Sequence, residues 1–188
     1  MNRRNLTGAA VFCFLVLLGA GSRLLVKLDT GYPWNFHAII AVALFAGFYF
    51  RSAATAACVP LMAMLLSDQV LGGYEPAVMA AVYGGLLFPI LWRSVLRDRL
   101  SPLRIGGAAI SSSLFFFLVS NFGVWMWGQA LHGPSTLSRC YVEALPFFKN
   151  EVAGDLLFSA VLFGAYLLMH PATKKSAAKP EAIARAEA

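Results

Sequence analysis

Charge is what this chain has least of. Asp, Glu, Lys and Arg make up 13% of its 188 residues, where an ordinary soluble domain carries about 25%. With 59% hydrophobic residues and a mean hydropathy of +0.69, there is too little polar surface to dress a water-soluble globule of this size. Cysteine is also scarce. Cys13, Cys58 and Cys140 are too few and too scattered for a disulfide framework, and no pair has metal-ligand spacing. Cys13 and Cys58 fall inside apolar runs and are expected in the core; Cys140 is expected in a loop as a free thiol. The only histidines are His37, His132 and His170, and no HExxH, GxSxG or paired-carboxylate motif accompanies them. The expectation is therefore no catalytic residues, no metal and no cofactor: not an enzyme. A phosphate-binding GxxxxGK[ST] loop is missing as well, so the chain does not hydrolyse ATP by that route. No internal repeat is long enough to argue for an inverted-repeat transporter.

What the chain does have is long apolar blocks rather than alternating or narrow helical stripes, the pattern of several membrane-spanning helices. The first runs from about Thr7 to Val26. A basic start at Arg3-Arg4 and the small residues Gly19-Ala20-Gly21-Ser22 allow a signal-peptide reading, but Leu24-Leu25-Val26 continue the run past that point, and a retained helix is expected. The second block, 38–50, is short for a full span. Either it starts inside the protein, or the connection Lys27 to His37 dips into the membrane, which non-helical backbone does only where protein or a cavity satisfies it. Helix three is expected over 53–71 with Pro60 as a kink, helix four over 77–95 carrying Tyr83 and Pro89, and helix five over 105–127. The long connection 128–150 predicts a short interfacial helix near Ser138 to Leu145. Helix six follows over 151–170. The expected domain is thus 1–170, six transmembrane helices in an all-α bundle, with 171–188 a disordered tail.

The net charge of +6 is not a nucleic-acid signature, because the basic residues sit at the ends of apolar blocks. With six helices, Arg3, Arg4, Arg51, Arg93, Arg97, Arg99, Arg104, Lys174, Lys175, Lys179 and Arg185 lie on one side, and Arg23, Lys27, Arg139 and Lys149 on the other. The positive-inside rule then places both termini in the cytoplasm. In this orientation Arg23, Asn35, Asp68 and Asp155 each fall at the outer end of a different helix. Asn121 lies deeper, about 9 Å below the end of helix five at Trp127. Any one of these groups has a plain structural reading: Arg23 as a salt-bridge partner for Asp68, Asp155 near a helix N-terminus. Taken together they form an outward-facing polar layer, and intramembrane polar groups point to function. The run Phe115 to Phe117 reads as lipid-facing or packing surface. Trp125 and Trp127 read as interfacial belt residues, either of which can also wall a cavity.

Several short motifs occur in a characteristic order: Arg23, Pro33-Trp34-Asn35-Phe36, Ala43-Leu44-Phe45-Ala46-Gly47, Pro60-Leu61, Ser67-Asp68 and Val82-Tyr83. Ser120-Asn121-Phe122-Gly123-Val124-Trp125, Cys140-Tyr141 with Pro146-Phe147-Phe148 and Asn150, and Gly154-Asp155-Leu156 complete it. This set resembles an uncharacterised bacterial family of membrane transport proteins, which is similar to the substrate-binding S components of energy-coupling-factor (ECF) vitamin transporters. The resemblance implies six helices, cytoplasmic termini and an outward-opening site under the loops after helices one, three and five. It also implies partners: a transmembrane coupling subunit and ATPases, docked through small residues on helix one, here Thr7, Gly8, Ala9 and Ala10.

These readings converge on a protein of the bacterial inner membrane, surrounded by lipid, that binds a small vitamin-like or metabolite solute for uptake. Arg23 would pair an anionic group or balance Asp68. Asn121, Asn35 and Gln129 would hydrogen-bond the solute, Trp34, Trp125 and Tyr141 would stack on it, Asp155 would complete the polar layer, and the connection 128–150 would serve as lid. The alternative is a membrane scaffold or assembly subunit that uses its Gly- and Phe-rich faces for helix association.

Overall fold

The computed structural model describes residues 3–28, 31–128 and 136–170. Gln129, His132 and the tail 171–188 lie outside the described residues. Those residues contain helices and no strand. In chain order the helices are α1 (Arg3–Leu24), α2 (Ile39–Tyr49), α3 (Ala53–Leu71), α4 (Pro76–Gly85), α5 (Arg93–Asp98), α6 (Pro102–Trp127) and α7 (Leu137–Met169), with 3-10 turns at Leu25–Leu28 and Phe88–Trp92. Because α4, the second of those turns and α5 form one interrupted rod, the bundle has six rods. Five of them are long and apolar enough to cross a membrane, so the chain is a multi-pass membrane protein. Large apolar side chains such as Phe14, Leu17, Leu65, Leu118, Val161 and Leu168 stand exposed on the outside, as a surface facing lipid requires.

Local sequence explains where the rods begin. Ser52, Glu75, Ser101 and Thr136 each precede a helix, and the side chain of each accepts a hydrogen bond from a first-turn N–H. Pro76 and Pro102 occupy the first helical position, where a missing N–H costs nothing. The expected fourth helix is interrupted near Pro89, whose ring and absent donor end the regular ladder and leave a 3-10 turn. Two expectations need larger correction. The segment Ser138 to Leu145 is not a separate interfacial helix; it is the first third of α7, which runs unbroken through Pro146. Cys140 is therefore helical rather than in a loop, while Cys13 and Cys58 are exposed rather than in the core. An apolar block in a membrane protein has two apolar destinations, and these thiols face the lipid side.

The short helix α2 is the axis of the bundle. From Ile39 to Gly47 every residue is buried, the signature of a helix apolar all round. Helices α1, α3, α6 and α7, the 3-10 turn and α5 all pack on it. Its N-terminal end is buried and its C-terminal end half-buried, and the backbone groups left over at each end find partners from other elements. Ala38 at the N-cap offers no side chain. Instead the Ser22 hydroxyl of α1 accepts from the Ala38 N–H at 3.0 Å, and the Asp155 carboxylate of α7 is set against the N–H groups of Ile40 and Ala41. At the other end Arg97 of α5 donates to the carbonyls of Phe48 at 2.8 Å, Gly47 at 2.9 Å and Phe50. An anion at the N-terminus and a cation at the C-terminus both suit the helix dipole.

Candidate functional site

Eleven residues make α2 roughly 16 Å long, about half the hydrocarbon thickness. It shares the turn at Arg51-Ser52 with α3, which has 19 residues. The far end of α2 therefore stops about 12 Å short of the far end of α3. Above it lies a cavity of about 280 Å³, walled by α1, α3, α4, α6 and α7, with Ile39 at its floor. The connection 31–38 dips into this well. Asn35 holds a left-handed φ of 61° there, a conformation Asn adopts more readily than most residues. A second cavity of about 300 Å³ lies beneath that connection and shares Arg23, Asn35 and His37 with the first.

One wall is an ion-pair cluster. Arg23 Nη1 donates to Asp68 Oδ1 at 2.7 Å and to the Ser67 hydroxyl. The Tyr83 hydroxyl donates to Asp68 Oδ2 at 2.8 Å. Asp68 is 4% exposed, so three helices, α1, α3 and α4, are tied at a point shielded from water. Nearby, burial and the Asp68 charge push the Tyr74 phenol up to about 12. Burial, reinforced by the Arg23 charge, lowers His37 to about 4, which keeps the imidazole neutral near pH 7.

On the α7 side, a file of acids and hydroxyls runs from Glu151 in the cavity wall into the core behind it. Asp155, fully buried, accepts from the Ser113 hydroxyl of α6 at 2.8 Å, while its Oδ1 meets no donor in hydrogen-bonding geometry. One turn earlier, Glu151 lines the cavity and is 2% exposed. Among the described residues its Oε1 has no partner; nor have the hydroxyls of Ser112 and Ser159 or Nδ1 of His37. Gly154, between the two acids, lets α7 touch the backbone of His37: a Cβ there would lie 3.0 Å from its nitrogen.

The expected site residues divide accordingly. Arg23, Asn35 and Asn121 line the main cavity together. Asp68 stands behind Arg23 as its counter-ion. Asp155 sits well inside α7 rather than at a helix start, beneath Glu151, where it serves the α2 terminus. The Asn121 amide donates to the Phe117 carbonyl of its own helix at 2.8 Å. Tyr141 donates to the Leu118 carbonyl at 2.7 Å and thereby clamps α7 to α6; it is not among the cavity-lining residues. Trp34 lines the second cavity only, 64% exposed, and its carbonyl accepts from the Asn150 amide at 3.1 Å. Trp125 packs against Phe122, ring centroids 5.6 Å apart. Of the phenylalanine run read as lipid-facing or packing surface, Phe115 stacks on Phe88, whereas Phe116 and Phe117 turn inward and wall the cavity.

The sequence patterns do not place Glu151, His37, Tyr74 or Tyr83 in the site. In sequence Glu151 reads as the first residue of a helix, where an acid is ordinary. The available signal was Glu151, Asp155 and Ser159 recurring every fourth residue in an apolar run, which puts all three on one helix face.

No curated protein and no solved structure matches the chain. A family model does match, from residue 3 to residue 179, and it describes a family of unknown function, DUF6580. Since that match takes in nearly the whole length, the chain belongs to this family.

Proposed function

We propose that this protein binds a small solute in the cavity above α2 and serves its uptake across the bacterial inner membrane. The observation that carries the reading is the well itself. A central helix of half length leaves about 280 Å³ near one end of the bundle, and polar groups from separate elements, Arg23, Asn35, His37, Asn121 and Glu151, converge on it. Ligand sites are concavities of this kind, mostly apolar with a few placed polar groups. The basic residues Arg51, Arg93, Arg97, Arg99 and Arg104 gather at the other end, so the positive-inside rule opens the well outward and leaves both termini cytoplasmic. The resemblance to ECF S components supports the same arrangement, with energy supplied by a coupling subunit and ATPases.

The test is thermal unfolding of the purified protein against a panel of vitamins and metabolites. A bound solute at a hundred times its Kd adds about 2.7 kcal/mol of stability. Hits at the proposed site lose their shift in Asn121→Leu. If every hit survives that substitution, the solute does not occupy this cavity.

A further inference from the structure

Around the cavity the acidic side chains are not all matched by cations. On α1, Arg23 is already committed to Asp68 and Ser67, and Lys27, in the 3-10 turn that follows and lining the second cavity, donates to the Val70 carbonyl. On the connection before α2, His37 is neutral. On α4, Glu75 is held by the Val78 N–H. On α7, Arg139 pairs with Glu143 at the surface, and Lys149 is exposed. That leaves Glu151, 2% exposed and lining the cavity, with Asp155 one helical turn below it and, among the described residues, no cation against either. A buried carboxyl group ionises at little cost only when a cation or several donors meet it, and an ammonium group seated against Glu151 would be such a partner. Phe116, Phe117 and Phe148 wall the same space and offer the aromatic surface that cations favour.

We propose that the solute of this cavity carries a cationic nitrogen, a protonated amine or quaternary ammonium, seated against the Glu151 carboxylate. This rests on the solute-binding reading above and adds the class of ligand. Arg23 does not select an anion, because its charge is already balanced within the wall.

Matched probes test it on the full chain in detergent micelles: phenethylamine, phenethyl alcohol and phenylacetate as one set, choline and its carbon isostere dimethylbutanol as another. The metabolite panel is sorted by charge alongside them. Cationic members bind at least about tenfold tighter than their neutral partners, and Glu151→Gln removes that preference while Asn121→Leu weakens all binding. The wild-type preference stands as a measurement even if Glu151→Gln does not fold. Neutral or anionic hits that bind as well as cations, and are lost in Asn121→Leu, overturn the cationic assignment and leave the solute-binding reading intact. A preference that persists undiminished in Glu151→Gln overturns it too. Absence of any hit, in the probe sets and the panel, removes both.

Discussion

Arg23→Met takes away the cation that faces Asp68. The remaining carboxylate, 4% exposed, would keep one donor, the Tyr83 hydroxyl at 2.8 Å. Removing one partner of a buried ion pair costs about 3–5 kcal/mol, mainly because the other charge is stranded. The Arg23 side chain keeps 15% exposure, enough for some water to reach the vacated space, so a loss near about 3 kcal/mol is expected. Asp68→Leu strands the guanidinium in turn, with the Ser67 hydroxyl as its remaining partner. In the double variant nothing charged is stranded. Its cost is then the lost hydrogen bonds of Tyr83 and Ser67, about 1–2 kcal/mol, far below the sum of the two single losses. The cycle is measured by equilibrium unfolding of all four proteins in mixed micelles with increasing denaturing detergent. If the two losses add to within about 0.5 kcal/mol, the pair is not shielded in the way its geometry implies, and Arg23 becomes a free cation in the site. That outcome would also undercut the charge accounting around Glu151.

Two further expectations concern the ends of α2. Arg97→Lys replaces a planar fork that reaches three carbonyls with a single ammonium, so the protein loses about 1–2 kcal/mol. Hydrogen exchange in the last turn of α2 accelerates; unchanged exchange there would show that Arg97 is not the cap. His37 refuses a proton in the folded state down to about pH 4, whereas the unfolded chain takes one up near 6.5. The unfolded state thus binds more protons across that window. Stability is full above about pH 6.5 and falls as pH drops toward about 4. His37→Gln flattens this part of the pH–stability curve, and a curve of unchanged shape would reassign the acid sensitivity to another group.

The sequence reaches the rods more reliably than their arrangement, for a physical reason. Membrane spans announce themselves by length and apolarity alone, so α1, α3 and α6 are found within a few residues of their ends. The short α2 block is legible as too short, and the choice between a buried start and a dipping connection resolves as both together: α2 starts inside the bundle and the chain before it dips. The break near Pro89 and the continuity through Pro146 are not legible in the same way. Proline only weakens a helix by about 3 kcal/mol, and packing decides whether the helix survives. Just past Pro146, Phe148 of α7 packs on Phe117 of α6 with ring centroids 4.5 Å apart, the kind of packing that offsets the proline. The site is half legible. Arg23 and Asp68 can be paired on paper because both end their helices at the same face. Glu151 by itself reads as an acid at a helix start, and only its spacing with Asp155 and Ser159 sets it on a buried face.

The same residues therefore settle the fold and furnish the site, and this follows from the length of α2. A full-length central helix would end at the membrane surface, where water caps it, and would fill the well. A half-length helix ends in a medium without water, so its first N–H groups draw Ser22 from α1 and Asp155 from α7 to the buried end of α2, beneath the cavity. Asp155 then carries Glu151, one turn earlier on the same face, into the cavity wall. Polar groups collect at the well because the short helix requires caps there, and an unpaired carboxylate arrives with them. The demands of the fold thus put an acid, Glu151, into the wall of the cavity, and the cationic solute proposed above is matched to that acid.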